Sequence, residues 1–183
     1  DENVGRVLDL LDQQGLAEDT IVIYSSDNGF FLGHHGMFDK RLMYEPAIRV
    51  PMLLRWPGGF APGRVDTRHF ALNIDVAPTV LDLAGSAVPA AMQGESWRPV
   101  LEQDAPAWRQ DFLYEYYEFP AAHCVRPHRG VRDHRWKYIH FYRDPEEEEL
   151  YDLANDPREM RNLAADPAHA DQLQRLPCGG QPD

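Results

Sequence analysis

A run of β-branched and aromatic residues at positions 20–24 (TIVIY) directly follows a helical pattern, and this pairing constrains the fold more than any other feature of the chain. The run lacks polar alternation, which predicts a strand buried on both faces of a parallel sheet. Ahead of it, Val4, Val7, Leu8 and Leu11 recur at helical spacing, and Gly15 with Leu16 supplies a left-handed stop with an apolar cover. A helix leading straight into a buried strand is half of an α/β layer unit. A second buried strand is expected at residues 50–56 (VPMLLRW), closed by Pro57, Gly58 and Gly59. Residues 73–84 read as a helix, with Asp75 as cap, Pro78 in the first turn and Gly85 at the end.

The texture changes after residue 108. Residues 111–117 (DFLYEYY) and 130–142 (GVRDHRWKYIHFY) are aromatic and β-branched with partial alternation, as in antiparallel strands that face water on one side. On this reading Arg132, Arg135 and Lys137 occupy an exposed strand face, and the acid run 146–149 is a solvated turn. Asp156-Pro157 and Asp166-Pro167 each have the form of a cap and first-turn proline opening a short helix. The expected organisation is an α/β core portion at residues 1–108 and a smaller subdomain of antiparallel sheet plus helix at 109–183. With 43% hydrophobic and 26% charged residues, the 183-residue chain has the composition of a folded protein of one or two units.

Acids outnumber Lys plus Arg by 30 to 18, a net charge of -12, which argues against nucleic acid as a partner. One basic island stands out: Arg126, His128, Arg129, Arg132, His134, Arg135 and Lys137. No stretch approaches the roughly 18 apolar residues of a membrane span. The sequence opens on DENVGRV, without Met and already in a helical pattern, and is read as a fragment. Cys124 and Cys178 make either one bridge or two thiols, and neither has zinc-ligand company.

The chemistry concentrates between residues 25 and 40 (SSDNGFFLGHHGMFDK). Asp27 and Asn28 follow the expected strand at its carboxyl end, where ligands gather in open α/β sheets. Carboxylate and amide oxygens are hard donors suited to Ca²⁺, and less readily to Mg²⁺. Asp-Asn-Gly alone is an ordinary turn signal. His34, His35 and Lys40 then follow within a dozen residues, with Gly33 and Gly36 on either side of the histidines. A hard metal pair beside a lysine is a unit for a tetrahedral anion, since metal and ammonium neutralise oxygens on which charge grows.

The string SSDNGFFLGHHGMFDKRLMYEPAIRVPMLLRWPG resembles the central signature of type I sulfatases, members of the alkaline phosphatase superfamily. NIDVAPTVLDLAG, MQGESWRPVL and ELYDLANDPREMRNLA resemble three later signatures in the same order. The resemblance implies the C-terminal part of an alkaline-phosphatase-like mixed-sheet sandwich. It implies that Asp27 and Asn28 ligate an active-site Ca²⁺ and that Lys40 contacts the sulfate and stabilises the leaving group. His35 either approaches the substrate or holds the loop, and Glu45 and Arg49 form a pair that orients it. The segment AHCVRPHRGVRDHRWKYIHFY is similar to one that sulfatases of sulfated sugars place near the substrate, N-acetylglucosamine-6-sulfatases among them. His123, Arg126 and His128 are then either ligand contacts or solvated strand-end residues.

Type I sulfatases also use a formylglycine made within a C/S-x-P-x-R motif, and a further pair of aspartates. Cys124 precedes Val-Arg-Pro and Cys178 precedes Gly179, so neither fits the motif. The implied activity is sulfate-ester hydrolysis, on a carbohydrate, by a protein whose nucleophile lies outside these residues. Two alternatives stand: a phosphodiesterase or phosphonate hydrolase of the same fold, and a noncatalytic binding module. The resemblance also implies a periplasmic or extracellular location.

Overall fold

The computed structural model describes residues 1–102, 107–120 and 124–176. They form two compact units, one of Asp1–Asp27 with Pro51–Trp108 and one of Asn28–Val50 with Arg109–Asp183. The expected division at residue 108 therefore needs one correction. The loop at 28–50 belongs to the second unit, because its apolar residues pack on that unit's sheet. No helix among the described residues is long and apolar enough to cross a membrane.

In the first unit, α1 (Glu2–Gln13) stops as its sequence predicts: Gly15 adopts φ +68° and the Leu16 amide reaches back to the Leu11 carbonyl at 2.9 Å. β1 (Val22–Ser25) pairs with β4 (Met52–Arg55), with Val22 opposite Arg55 and Tyr24 opposite Leu53. The pairing is antiparallel, and Tyr24 and Leu53 are 50% and 59% exposed. This corrects the expectation of a parallel pairing for these two strands. An apolar run records that a strand avoids water, but strand direction is set by the return path of the chain, which brings β4 back alongside β1. Met52 and Leu54 pack instead on a cluster of Trp97, Val100 and Trp108.

Asp75 is fully buried at the start of α3 (Val76–Leu83), where its carboxylate accepts from the Leu72 amide (2.8 Å), the Glu95 amide (2.9 Å) and Trp97 Nε1 (3.1 Å). Thr79 Oγ1 accepts from the Trp97 amide at 2.9 Å. The residue that the sequence marks as a helix cap thus also ties down the loop before α4 (Arg98–Glu102). Gly85 ends α3 at φ +72°.

The second unit is built on a four-stranded antiparallel sheet in the order β5 (Asp111–Tyr116), β6 (His128–Asp133), β7 (Trp136–Phe141) and β8 (Glu147–Asp152). One cluster joins Phe31, Met43, Tyr44 and Ala47 of the loop to Ile139, Phe141 and Tyr151 of the sheet. Burying Phe31 and Met43 is worth roughly 1.5–3 kcal/mol each, enough to hold the loop against the sheet. Gly130 makes this close approach possible, because a Cβ there would collide with the Tyr138 carbonyl and the Met43 sulfur. Gly130→Ala is therefore expected to cost about 1–3 kcal/mol in a urea titration, with the transition midpoint shifted and the slope unchanged.

Three sequence expectations fail here for one reason: partners distant in sequence recruit the charged side chains. Residues 147–149 of the acid run lie in strand β8 rather than in a turn; Glu146, Glu147 and Glu148 are exposed as expected, but Glu149 is buried, accepting from Tyr44 Oη (2.8 Å) and Tyr151 Oη (3.2 Å). Lys137 is 0% exposed, and Arg132 is engaged with Glu45, so β7 and β6 do not present them to solvent. Asp156-Pro157 opens a turn with Glu159 at φ +56°, not a helix. Asp166-Pro167 does open one, since Asp166 accepts from the Ala168 amide before α5 (Ala170–Arg175).

Candidate anion- and metal-binding loop

Asp27 follows β1 in the first unit and is exposed; its main-chain carbonyl accepts from Asn73 Nδ2 at 2.7 Å, and Ser26 Oγ lies 3.3 Å from its carboxylate. Asn28 begins the second unit. Its Nδ2 donates to the Gly29 carbonyl at 2.7 Å, which fixes the amide plane with the oxygen, the hard donor, on the opposite arm. The Gly29 and Phe30 amides then donate to the Ala47 (2.7 Å) and Pro46 (2.8 Å) carbonyls of α2 (Glu45–Ile48). A Cβ at Gly29 would meet the Pro46 carbonyl, so the close passage needs glycine here.

Beyond Phe30, β2 (Phe31–Leu32) and β3 (Phe38–Asp39) form a two-rung ladder that carries the histidines at its tip. Gly33 and Gly36 are left-handed, and so is His35 at φ +52°. The Leu32 amide donates to His34 Nδ1 at 3.2 Å, which places the ring proton on Nε2. His35 stacks on Tyr44 at 4.5 Å between centroids and 20° between planes. Burial, and then the Glu149 carboxylate, push the Tyr44 phenol well above its ordinary range, so it stays a donor to Glu149.

Lys40 sits between two further left-handed residues, Asp39 at φ +98° and Arg41 at φ +108°, whose side chains form an ion pair of 2.7 Å. Each such conformation costs on the order of 1–3 kcal/mol for a residue with a side chain, and persists where surrounding contacts over-determine it. Here the ladder and the buried Phe31 and Met43 do so.

Beneath the loop lies a charge cluster that the sequence did not reveal. Lys137 Nζ contacts Glu45 Oε1 at 2.8 Å and Glu159 Oε1 at 2.6 Å, and Arg132 Nε reaches Glu45 at 3.1 Å. Glu159 Oε2 accepts from the Glu45 amide at 2.8 Å, at the first residue of α2. Burial pushes the Glu45 carboxyl upward, but Lys137 and Arg132 outweigh it and hold the group below its ordinary value. The expected Glu45–Arg49 pair is therefore corrected: Glu45 turns inward to Lys137 and Arg132, while Arg49 is exposed. The positive-φ residues leave no signature in the sequence, but a lone Lys inside the apolar stretch RWKYIHFY is one that could have been used.

Of the basic island, Arg126 donates to Glu147 and to the Pro145 carbonyl (both 2.6 Å) and lies over Phe141. His128 is fully buried between Tyr114, Tyr116 and Phe141, with Nδ1 2.9 Å from the Arg126 carbonyl. As an open ligand contact His128 is thus corrected to a core residue, because its register in β6 turns the ring inward. His123 and Cys178 lie outside the described residues; Cys124 is exposed. Burial lowers the His128 pKa, so below about pH 6.5 the unfolded chain takes up a proton that the folded chain refuses. Stability is accordingly expected to fall as pH drops from 7 towards 5, and His128→Phe to flatten that slope in melting curves.

Asp27 and Asn28 supply the donor chemistry that Ca²⁺ takes, but a Ca²⁺ shell needs about six to eight oxygens. Among the described residues no group of three or more His, Cys, Asp or Glu could hold a metal ion. The pair fits as part of a shell.

The mixed α/β units and the loop define the C-terminal region of the alkaline-phosphatase-like sulfatase fold. Residues 33–177 match the family model for N-sulphoglucosamine sulphohydrolase, C-terminal, and the chain belongs to this family. It is 46% identical over 179 residues to an N-acetylglucosamine-6-O-sulfatase of Bacteroides thetaiotaomicron, covering 96% of this chain and 32% of that protein. A solved structure in complex with its substrate D-glucosamine-2-N,6-O-disulfate superposes with a TM-score of 0.90 at 45% identity, over 96% of this chain and 36% of the other. The phosphonate monoester hydrolase of Agrobacterium radiobacter superposes with a TM-score of 0.80 at 29% identity, over 93% and 36%. The chain spans about a third of the length of these relatives.

Proposed function

We propose that this chain is the C-terminal portion of a sulfatase that hydrolyses a sulfate ester on an amino sugar. The support is the 46% identity to an N-acetylglucosamine-6-O-sulfatase, which runs through the loop that carries Asp27, Asn28 and Lys40. Asp27 and Asn28 serve as two ligands of a Ca²⁺ ion, which would supply positive charge to the sulfate oxygens. Lys40 binds the same anion and offsets charge on the departing sugar oxygen. His35, held face to face with Tyr44, borders the substrate from the tip of the ladder. The attacking group, a formylglycine, comes from sequence outside these 183 residues.

The test is sulfate release from glucosamine 6-O-sulfate by the full-length protein, with and without EDTA. Release that stops with EDTA and returns with calcium is expected, and the 183-residue chain by itself should give none. Turnover by the chain alone, lost in Lys40→Ala, would place the nucleophile within it. The likeness to a phosphonate monoester hydrolase favours a second reading, hydrolysis of a phosphonate or phosphate diester, because both anions are tetrahedral.

A further inference from the structure

The second unit contains an open cleft of about 610 Å³. Its walls include Phe30, His34 and His35 from the loop, Arg49 from the end of α2, and Arg158 and Met160 from the turn after β8. A volume of this size accommodates a sugar unit. The apolar walls offer a face for its C–H groups, and Phe30 is partly exposed there.

The charges distinguish this cleft from an ordinary surface groove. The sequence has 18 Lys and Arg against 30 acids, so each cation has acids to pair with. Lys40, Arg49 and Arg158 are nevertheless the cations whose side chains make no hydrogen bond, ion pair or ring contact among the described residues. Two of the three line this cleft, and the third lies on the same loop as His34 and His35. The acid on the cleft wall, Glu45, is neutralised by Lys137 and Arg132 and does not oppose an anion. Exposed guanidinium groups left unpaired in an acidic protein form a fork for a planar or tetrahedral oxyanion.

We infer that this cleft is an anion subsite: Arg49 and Arg158 bind a second sulfate on the sugar. The inference rests on the sulfatase reading for the identity of the ligand. Arg49 and Arg158 determine specificity and take no part in the chemistry.

Calorimetric titration of the full-length protein at low ionic strength, with EDTA present to stop turnover, compares glucosamine 2-N,6-O-disulfate with glucosamine 6-O-sulfate and tests this. The disulfate is expected to bind about 10-fold tighter, the scale of one charge-assisted contact. Arg49→Ala and Arg158→Ala should each bring that ratio towards one, and Arg158→Lys should retain part of it. Melting temperatures should not move, since both side chains are exposed. Equal affinities for the two ligands, no binding of the disulfate at millimolar concentration, or a preference that survives the double Arg49→Ala, Arg158→Ala variant each overturns the assignment. Failure of the sulfatase reading looks different: the full-length protein releases no sulfate, whatever the binding ratio.

Discussion

Replacing Glu159 with alanine is expected to lower the unfolding free energy by about 3–5 kcal/mol, the cost of breaking a buried ion pair from one side. Lys137 and Glu159 are both fully buried and 2.6 Å apart. Without Glu159 the ammonium keeps, among the described residues, only Glu45, which it shares with Arg132. The Glu45 amide also loses its acceptor. The penalty comes from stranding a charge, so removing both charges in the Lys137→Met, Glu159→Ala pair should recover much of the loss. Urea titrations of the single and double variants check this. A single variant that loses less than about 1 kcal/mol would mean that the cluster is solvated and does not anchor the loop.

In the full-length enzyme, Lys40→Ala is expected to reduce kcat by about 100- to 1000-fold, the range seen when one donor to a developing oxyanion is removed. Lys40 lies between two residues held at a conformational cost. Its neighbours Asp39 and Arg41 are both left-handed, and their ion pair closes over the segment. A lysine that merely bound the ground state would raise KM and leave kcat alone, so the split between the two parameters identifies its role. Lys40→Arg should restore part of kcat. A kcat within about threefold of the parent would remove Lys40 from the chemistry.

Much of this architecture was legible because it depends on local rules. Gly15 and Gly85 stop their helices where the apolar spacing ends, and the aromatic stretches after residue 108 form the antiparallel sheet. Asp75 was recognisable as a cap, although its bonds to Glu95 and Trp97 were not. What the sequence concealed is long-range pairing. Lys137 read as a surface residue because nothing near it in sequence shows that Glu45 and Glu159 converge on it. Glu149 read as part of a solvated run because its donors are Tyr44, 105 positions away, and Tyr151. β1 and β4 read as parallel strands because hydrophobicity carries no direction. The loop was legible only through its resemblance to sulfatases; Asp-Asn-Gly by itself is a turn. His128 shows the opposite error, a basic residue read as a ligand contact that strand register places in the core.

The most direct measurement is the ratio of kcat/KM for glucosamine 6-O-sulfate to that for an aryl phosphonate monoester, determined on the full-length enzyme with calcium present. A ratio in favour of the sulfate of at least about 100-fold is predicted, towards the upper end of what a single apolar contact in a site is worth. A ratio near one, or a preference for the phosphonate, would contradict it.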